Sequence, residues 1–318
     1  MNTLIFGLQY GDEAKGRVSA ELGKDADWFV RFNGGPNAGH TVYHDGKKFA
    51  LHHLPAGAIT GKKIALDAGM VIDLDILEKE LSILPLRPEL YISSRAHVIQ
   101  KRHKESDIGG SGVGSTKKGI AYAYSDKVLR KGTRMGDIDS KILDNLNATV
   151  YDGLVPFRRD ENVIFESAQG VLLDIDYGND YPYVTSSSVF PSGYYKIDRR
   201  IGVMKGYTTR VGDSRIKREQ IDWLTVAGNE YGTTTGRPRQ CYWNDLNELQ
   251  YAMDIGDADE IVVTKLDILE GKGIKIVDYN EKAIDFSTVT GYIDYLRGVF
   301  PQIKYLSWAP YGAMQMFV

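Results

Sequence analysis

Several segments of this 318-residue chain combine residue types that do chemistry with glycines that let backbone approach a ligand closely. Gly11-Asp12-Glu13-Ala14-Lys15-Gly16 lies between an apolar run and a stretch of helical composition. Unpaired N–H groups and the positive end of a helix would attract phosphate there, and Lys15 would add a point charge. The same six residues also suit a polar turn in which Asp12 caps the helix, and they lack the spacing of a Walker A loop. Asn33-Gly34-Gly35-Pro36-Asn37-Ala38-Gly39-His40 ends a second apolar run. Asn37 and His40 offer donors and acceptors, and the place of His40 at a glycine turn marks it as a catalytic candidate. Lys117-Lys118 with Lys127, Arg130, Lys131 and Arg134 reads as a phosphate-facing cluster or as a solvated helix face. Gly232-Thr233-Thr234-Thr235-Gly236-Arg237-Pro238-Arg239 places hydroxyls and two guanidinium forks in one loop, suited to carboxylate or phosphate. In Thr264-Lys265-Leu266-Asp267 a carboxylate at a strand end can accept both N–H groups of guanine while the lysine stem covers the base, although such a pair is also often just solvated.

These segments need a scaffold that gathers them. Residues 3–7 form a short buried strand stopping at glycine, followed by helical composition over 17–24 and a strand over 28–32. Asp45-Gly46 between 41–44 and 48–52 is a hairpin signal. Helices are expected over 74–84, 139–146, 247–255 and 292–300, and strands over 89–93, 162–166, 260–264 and 303–306. The recurring strand, polar loop and helix predict an α/β fold. It would be a single domain spanning 1–318, built on a mainly parallel central sheet with helices on both faces and small hairpin excursions. The glycine-rich stretch 108–118 is too long for a passive connection and reads as a mobile, phosphate-facing loop. Charged residues at 25% and the apolar set at 42% exclude disorder, collagen and coiled coil. A formal charge of −3 excludes a coat for duplex nucleic acid, so any phosphate must be met by a local cluster. No apolar run approaches the roughly 20 residues of a membrane span. With the single Cys241 and an opening that meets a charged loop early, this predicts a cytoplasmic protein.

Taken in order, GLQYGDEAKGR, RFNGGPNAGHTV, GSTKKGIAYAYSDKVLRKGTRMGD, ESAQGVLLDIDYG, PYVTSS, KGYTTRVG, YGTTTGRPR and TKLDIL resemble the adenylosuccinate synthetase family over nearly the whole chain, in its compact archaeal and phage form. The resemblance implies a carbon–nitrogen ligase of purine synthesis that joins L-aspartate to IMP with GTP and Mg²⁺ through a 6-phosphoryl intermediate. Phage relatives that aminate dGMP, with ATP or dATP as possible donor, are the alternative. A nucleotide-binding regulatory protein is the non-enzymatic one, but it would need a Walker A loop, and a dead binder would be expected to lose Asp12 or His40. By the same resemblance Asp12, His40 and Lys15 would be catalytic, with Asp12 and the Gly39 carbonyl on the metal. Asn37, Thr116, Gln169 and Thr185 would hold the acceptor nucleotide, joined by Arg130 from a second subunit of a homodimer. Thr235, Arg237 and Arg239 would hold aspartate. Gly11, Glu13, Ala14 and Gly16 would meet the donor phosphates, and Lys265, Asp267, Ser307 and Pro310 the donor base. Ala14 and Ala309 stand where the family usually has glycine, and Lys117-Lys118 where it usually has glycine-arginine.

Overall fold

The computed structural model describes residues 1–37, 39–110, 115–232, 236–309 and 314–316. Among them one central sheet contains β1 (Asn2–Gly7), β2 (Trp28–Arg31), β3 (Lys63–Leu66), β4 (Glu89–Ser93), β5 (Ala148–Tyr151), β6 (Val163–Gly170), β7 (Arg199–Lys205), β8 (Glu260–Thr264), β9 (Ile303–Leu306) and β10 (Gln315–Met316). The strand order is β10-β9-β8-β7-β1-β6-β2-β3-β4-β5, parallel throughout except where β10 runs against β9.

Successive strand residues leave on opposite faces, so the short apolar runs feed two cores. Leu4 and Phe6 join Trp28, Val30, Phe165 and Val263 on one face, while Ile5 joins Phe29, Ile64, Ile164 and Val262 on the other. Helices α1 (Lys15–Leu22) and α2 (Leu74–Ile83) cover the Ile5 face through Val18, Leu77 and Leu81. Beyond them α3 (Lys101–Gly109) packs against α4 (Ile120–Val128), and α5 (Ser140–Asn145) returns to the Ile5 face through Leu143. The Phe6 face is covered by α6 (Asp222–Ala227), α7 (Leu246–Gly256) and α8 (Val289–Val299). Helices on both faces explain why the parallel strands read as unbroken apolar runs, as expected. No helix among the described residues is long and apolar enough to cross a membrane.

The chain lays β1 first, steps outward to β5, then returns to insert β6 beside β1 and continues on its other flank with β7, β8 and β9. The reversal lies at β1, and the loops leaving the carboxyl ends of β1, β2, β6, β7 and β8 meet there. Open parallel sheets bind ligands at this position. The Asp45-Gly46 turn has φ of 49° and 73°, the mirror turn that joins strands His40–His44 and Lys47–Leu51.

Some boundaries differ from the sequence reading. Helix α1 begins at Lys15, two residues early, and its cap is Ala14 without a side-chain bond, so Asp12 is not the cap. β6 continues through Gly170 rather than ending at Glu166. α8 begins at Val289 because the Thr288 hydroxyl accepts the Gly291 N–H at 3.1 Å. The stretch 108–118 opens as the last turn of α3, and residues 111–114 lie outside the described residues. Lys117 donates through Nζ to the carbonyls of Asp107 and Gly110, and Asp107 also accepts the Gly119 N–H at 2.8 Å.

Two departures from the family's usual glycine fall on left-handed backbone, Ala14 at φ 72° and Lys117 at φ 59°. A Cβ in that region costs about 1–2 kcal/mol, partly offset by the lower chain entropy of a non-glycine residue. Ala14→Gly is therefore expected to stabilise the fold by roughly 0.5–1 kcal/mol. Urea unfolding monitored by circular dichroism checks it, and a lower midpoint for the glycine variant refutes it.

Candidate active site

The β1 loop reverses direction through positive φ at Gly11, Asp12 and Ala14. Glu13 between them is fully buried, and its carboxylate accepts the N–H groups of Gln9 at 3.1 Å and Gly11 at 2.8 Å while pairing with Lys15 Nζ at 2.6 Å. Gly7 and Gly170 end the two adjacent strands, and a Cβ at either would fall on that carboxylate. Behind the loop the Gln9 amide donates to Asn244 Oδ1 at 2.7 Å and accepts from the Lys205 N–H at 2.9 Å. The Thr264 hydroxyl at the end of β8 donates to the Glu13 carbonyl at 2.9 Å.

This bracing turns the Asp12 carboxylate outward, 30% exposed, with Oδ2 at 2.9 Å from Arg239 Nε. Arg239 Nη1 reaches Glu230 Oε2 at 2.7 Å. Glu230 is fully buried and takes Lys205 Nζ at 3.1 and 3.2 Å and the Tyr207 hydroxyl at 2.7 Å, with Lys265 Nζ at 3.8 Å. Burial pushes the Glu230 carboxyl up, but Lys205, Lys265 and Arg239 together outweigh it and hold the group at about 2. One loop of charges thus links Asp12, Arg239 and Lys265, three residues singled out from separate motifs. The sequence reading misses Glu230, Lys205 and Tyr207. Their one signal is an ionisable residue set at the end of an apolar strand or just before a glycine turn.

His40 opens the hairpin beside α1. Its ring lies on Gly16, where a Cβ would stand 2.8 Å from Cδ2. Nε2 is 3.5 Å from Glu166 Oε1, and the same oxygen is 3.4 Å from Arg31 Nη1, with Glu166 and Arg31 paired across adjacent strands. Burial lowers the imidazole below its ordinary value despite the opposing pull of Glu166. The ring is therefore neutral near pH 7 and takes a proton more readily once negative charge arrives beside it.

Gln169, at φ 56°, faces the Asn33–Asn37 turn. Its amide oxygen and nitrogen are buried and have no partner among the described residues, and the same holds for the Thr185 hydroxyl. Buried polar atoms in that state are a strong sign of a polar ligand. Asn37 Oδ1 accepts the Gly35 N–H at 3.2 Å, and Tyr124 of α4 ties Gly34 and Gly69 through its hydroxyl. Thr116 and Arg130 take no part in these bonds, and Arg130 stands exposed just past α4.

On the other flank Lys265 Nζ donates to the Gly228 carbonyl at 2.6 Å, and the Leu266 N–H to the Ser307 carbonyl at 3.3 Å. Burial pushes the Asp267 carboxyl up, against the nearby cations Lys265 and Arg17. Arg17 of α1 donates through Nη1 to the Ala309 carbonyl at 2.6 Å, which fixes the turn after Ser307. Arg237 is exposed. Thr235 and Pro310 lie outside the described residues.

No group of three or more His, Cys, Asp or Glu among the described residues is placed to hold a metal ion. Asp12, 30% exposed with Oδ2 toward Arg239, is the carboxylate that the resemblance assigns to a metal, together with the neutral Gly39 carbonyl. Such a sparse oxygen set fits Mg²⁺, which usually keeps waters and takes further ligands from substrate phosphates.

A family model described as adenylosuccinate synthetase matches residues 4–154 and 154–306. The adenylosuccinate synthetase of Hydrogenobaculum sp. is 38% identical over 95% of this chain and 87% of its own length. That of Desulforudis audaxviator is 40% identical over 85% of this chain and 78% of its own. Among solved structures, the fully ligated adenylosuccinate synthetase of Plasmodium falciparum superposes with a TM-score of 0.84 at 26% identity, covering 99% of both chains. The succinoaminodeoxyadenylate synthetase of cyanophage S-2L, bound to dGMP and to dATP as energy donor, shares the fold with a TM-score of 0.81 at 24% identity, covering 99% of this chain and 95% of that one. The chain belongs to the adenylosuccinate synthetase family, carbon–nitrogen ligases of purine nucleotide synthesis.

Proposed function

We propose that the protein joins L-aspartate to C6 of IMP with GTP, giving adenylosuccinate, GDP and phosphate in the cytoplasm. The observation that carries this reading is the Asp12 carboxylate turned out of a braced loop and paired with Arg239 at 2.9 Å, while the His40 ring is seated on Gly16 of the helix that the same loop leads into. Asp12 takes the N1 proton and leaves the negative charge on O6. O6 attacks the γ-phosphorus, and the bond from phosphorus to GDP breaks. The aspartate amine adds at C6 of the phosphorylated purine, phosphate leaves with the former O6, and the amine gives up a proton to the departing phosphate. His40 steadies charge on O6 and the departing phosphate, and Lys15 meets the phosphates by exchanging its bond to Glu13 for one to them. Positioning and electrostatics supply the catalysis. Asp12 and the Gly39 carbonyl would hold Mg²⁺, which would supply charge neutralisation to the phosphates.

The unpartnered Gln169 and Thr185 support a nucleotide subsite shared with Asn37 and Thr116. Thr235, Arg237 and Arg239 suit the two carboxylates of aspartate. Gly11, Ala14 and Gly16 give the donor phosphates backbone contact, and Glu13 acts by shaping that loop. Lys265, Asp267, Ser307 and Pro310 suit the donor base. Arg130 sits beside Val128 and Leu129, 79% and 55% exposed, which supports a homodimer in which it reaches the partner's nucleotide.

Phosphate release is measured with IMP, dIMP, GMP or dGMP against GTP, ATP or dATP, with and without aspartate. Turnover is expected with IMP, GTP and aspartate together; turnover with dGMP alone among acceptors would move the chain to the phage-type reaction. Asp12→Asn should lower turnover by roughly 10²- to 10⁴-fold with folding intact. Gly16→Ala places a methyl against the largely buried His40 ring, so turnover should fall about tenfold and the thermal midpoint should drop as well, because overpacking outweighs the helix preference of alanine. If Asp267 reads guanine, the specificity constant for GTP exceeds that for ATP by about tenfold or more, and Asp267→Asn erases the difference.

A further inference from the structure

Three residues of the buried charge cluster behind the Gly232–Arg239 loop, Glu230, Lys205 and Tyr207, have no task in the reaction, and Glu230 is the one that touches Arg239. Glu230 is fully buried, and both its oxygens are bonded. From behind, Lys205 Nζ and the Tyr207 hydroxyl fix it; Lys205 is itself fully buried and bonded to the Thr209 hydroxyl. In front, Glu230 Oε2 accepts Arg239 Nη1 at 2.7 Å. The backbone repeats the link, with the Arg239 N–H donating to the Glu230 carbonyl at 2.8 Å and the Gly232 N–H to the Arg237 carbonyl at 2.8 Å. Glu230 and Arg239 are therefore the two sides of the stem from which the loop projects.

We propose that Glu230 is a positioning residue that holds the Arg239 guanidinium at a fixed angle to Asp12 and so aims its remaining N–H groups at a carboxylate of the amino-acid substrate. A guanidinium carries five donors in a rigid plane. Nη1 is spent on Glu230, and Nε stands 2.9 Å from Asp12 Oδ2 as an ion pair without hydrogen-bond geometry, which leaves Nη2 for a further acceptor. Without Glu230 the fork is free to turn and close on Asp12 with two parallel bonds, the geometry arginine and carboxylate prefer.

The inference rests on the reading of Arg239 as an amino-acid-binding residue, and the test separates the two. Michaelis constants for L-aspartate and for each nucleotide, turnover and thermal midpoints are measured for Arg239→Ala, Glu230→Gln and the double variant Lys205→Met/Glu230→Gln. The double variant removes the lysine that Glu230→Gln would leave buried and unpaired, which preserves the fold. Both Glu230 variants are expected to raise the aspartate Michaelis constant about tenfold or more, with nucleotide constants within about twofold of the parent. An aspartate constant unchanged in both Glu230 variants but raised in Arg239→Ala overturns the role of Glu230 alone. No change in Arg239→Ala overturns the reading of Arg239 itself. If aspartate and nucleotide constants rise together in the folded double variant, Glu230 is a structural strut and the proposal fails.

Discussion

A buried carboxylate inside the loop that follows β1 governs this architecture. Parallel strands end with N–H groups that no neighbour satisfies, and at the carboxyl ends of β1 and β6 the Glu13 side chain takes that place, bonded to Gln9 and Gly11 and neutralised by Lys15. The arrangement demands glycine at both strand ends, because a side chain at Gly7 or Gly170 would occupy the same volume. With Glu13 pinned inward, its neighbours must bend through left-handed backbone, and Asp12 is forced out toward Arg239. The outward carboxylate, the start of α1 at Lys15 and the seat of His40 on Gly16 all follow from that anchor.

The sequence makes the scaffold readable where a single physical signal dominates. Short apolar runs mark β1, whose run stops at glycine, and β6 and β8, whose runs stop at polar residues, since strands buried on both faces need no polar alternation, and Asp45-Gly46 marks its hairpin. α3 escapes because KRHKESDIG shows no apolar stripe; it is held by its pairing with α4 and by Asp107 reaching across the glycine stretch. Strand β7, from Arg199 to Lys205, escapes for a related reason: charged residues at both its ends hide its apolar middle.

The candidate site divides in the same manner. Asp12, Lys15, His40 and Arg239 stand in glycine-rich loops, where side-chain chemistry is conspicuous. Glu230, Lys205, Glu166 and Arg31 sit within or beside buried elements, and only tertiary structure reveals that their charges cancel in pairs. A lone ionisable residue in an apolar context looks the same in sequence whether it ends a strand at the surface or anchors a buried network.

The bond from Arg17 to the Ala309 carbonyl has a further mechanical meaning. Helix α1 presents its first turn to the phosphate loop, and two residues beyond Lys15 it grips the turn proposed to flank the donor base. The loop after β1 and the turn after Ser307 are thus tied to one short helix, so a displacement of either is carried to the other through its backbone.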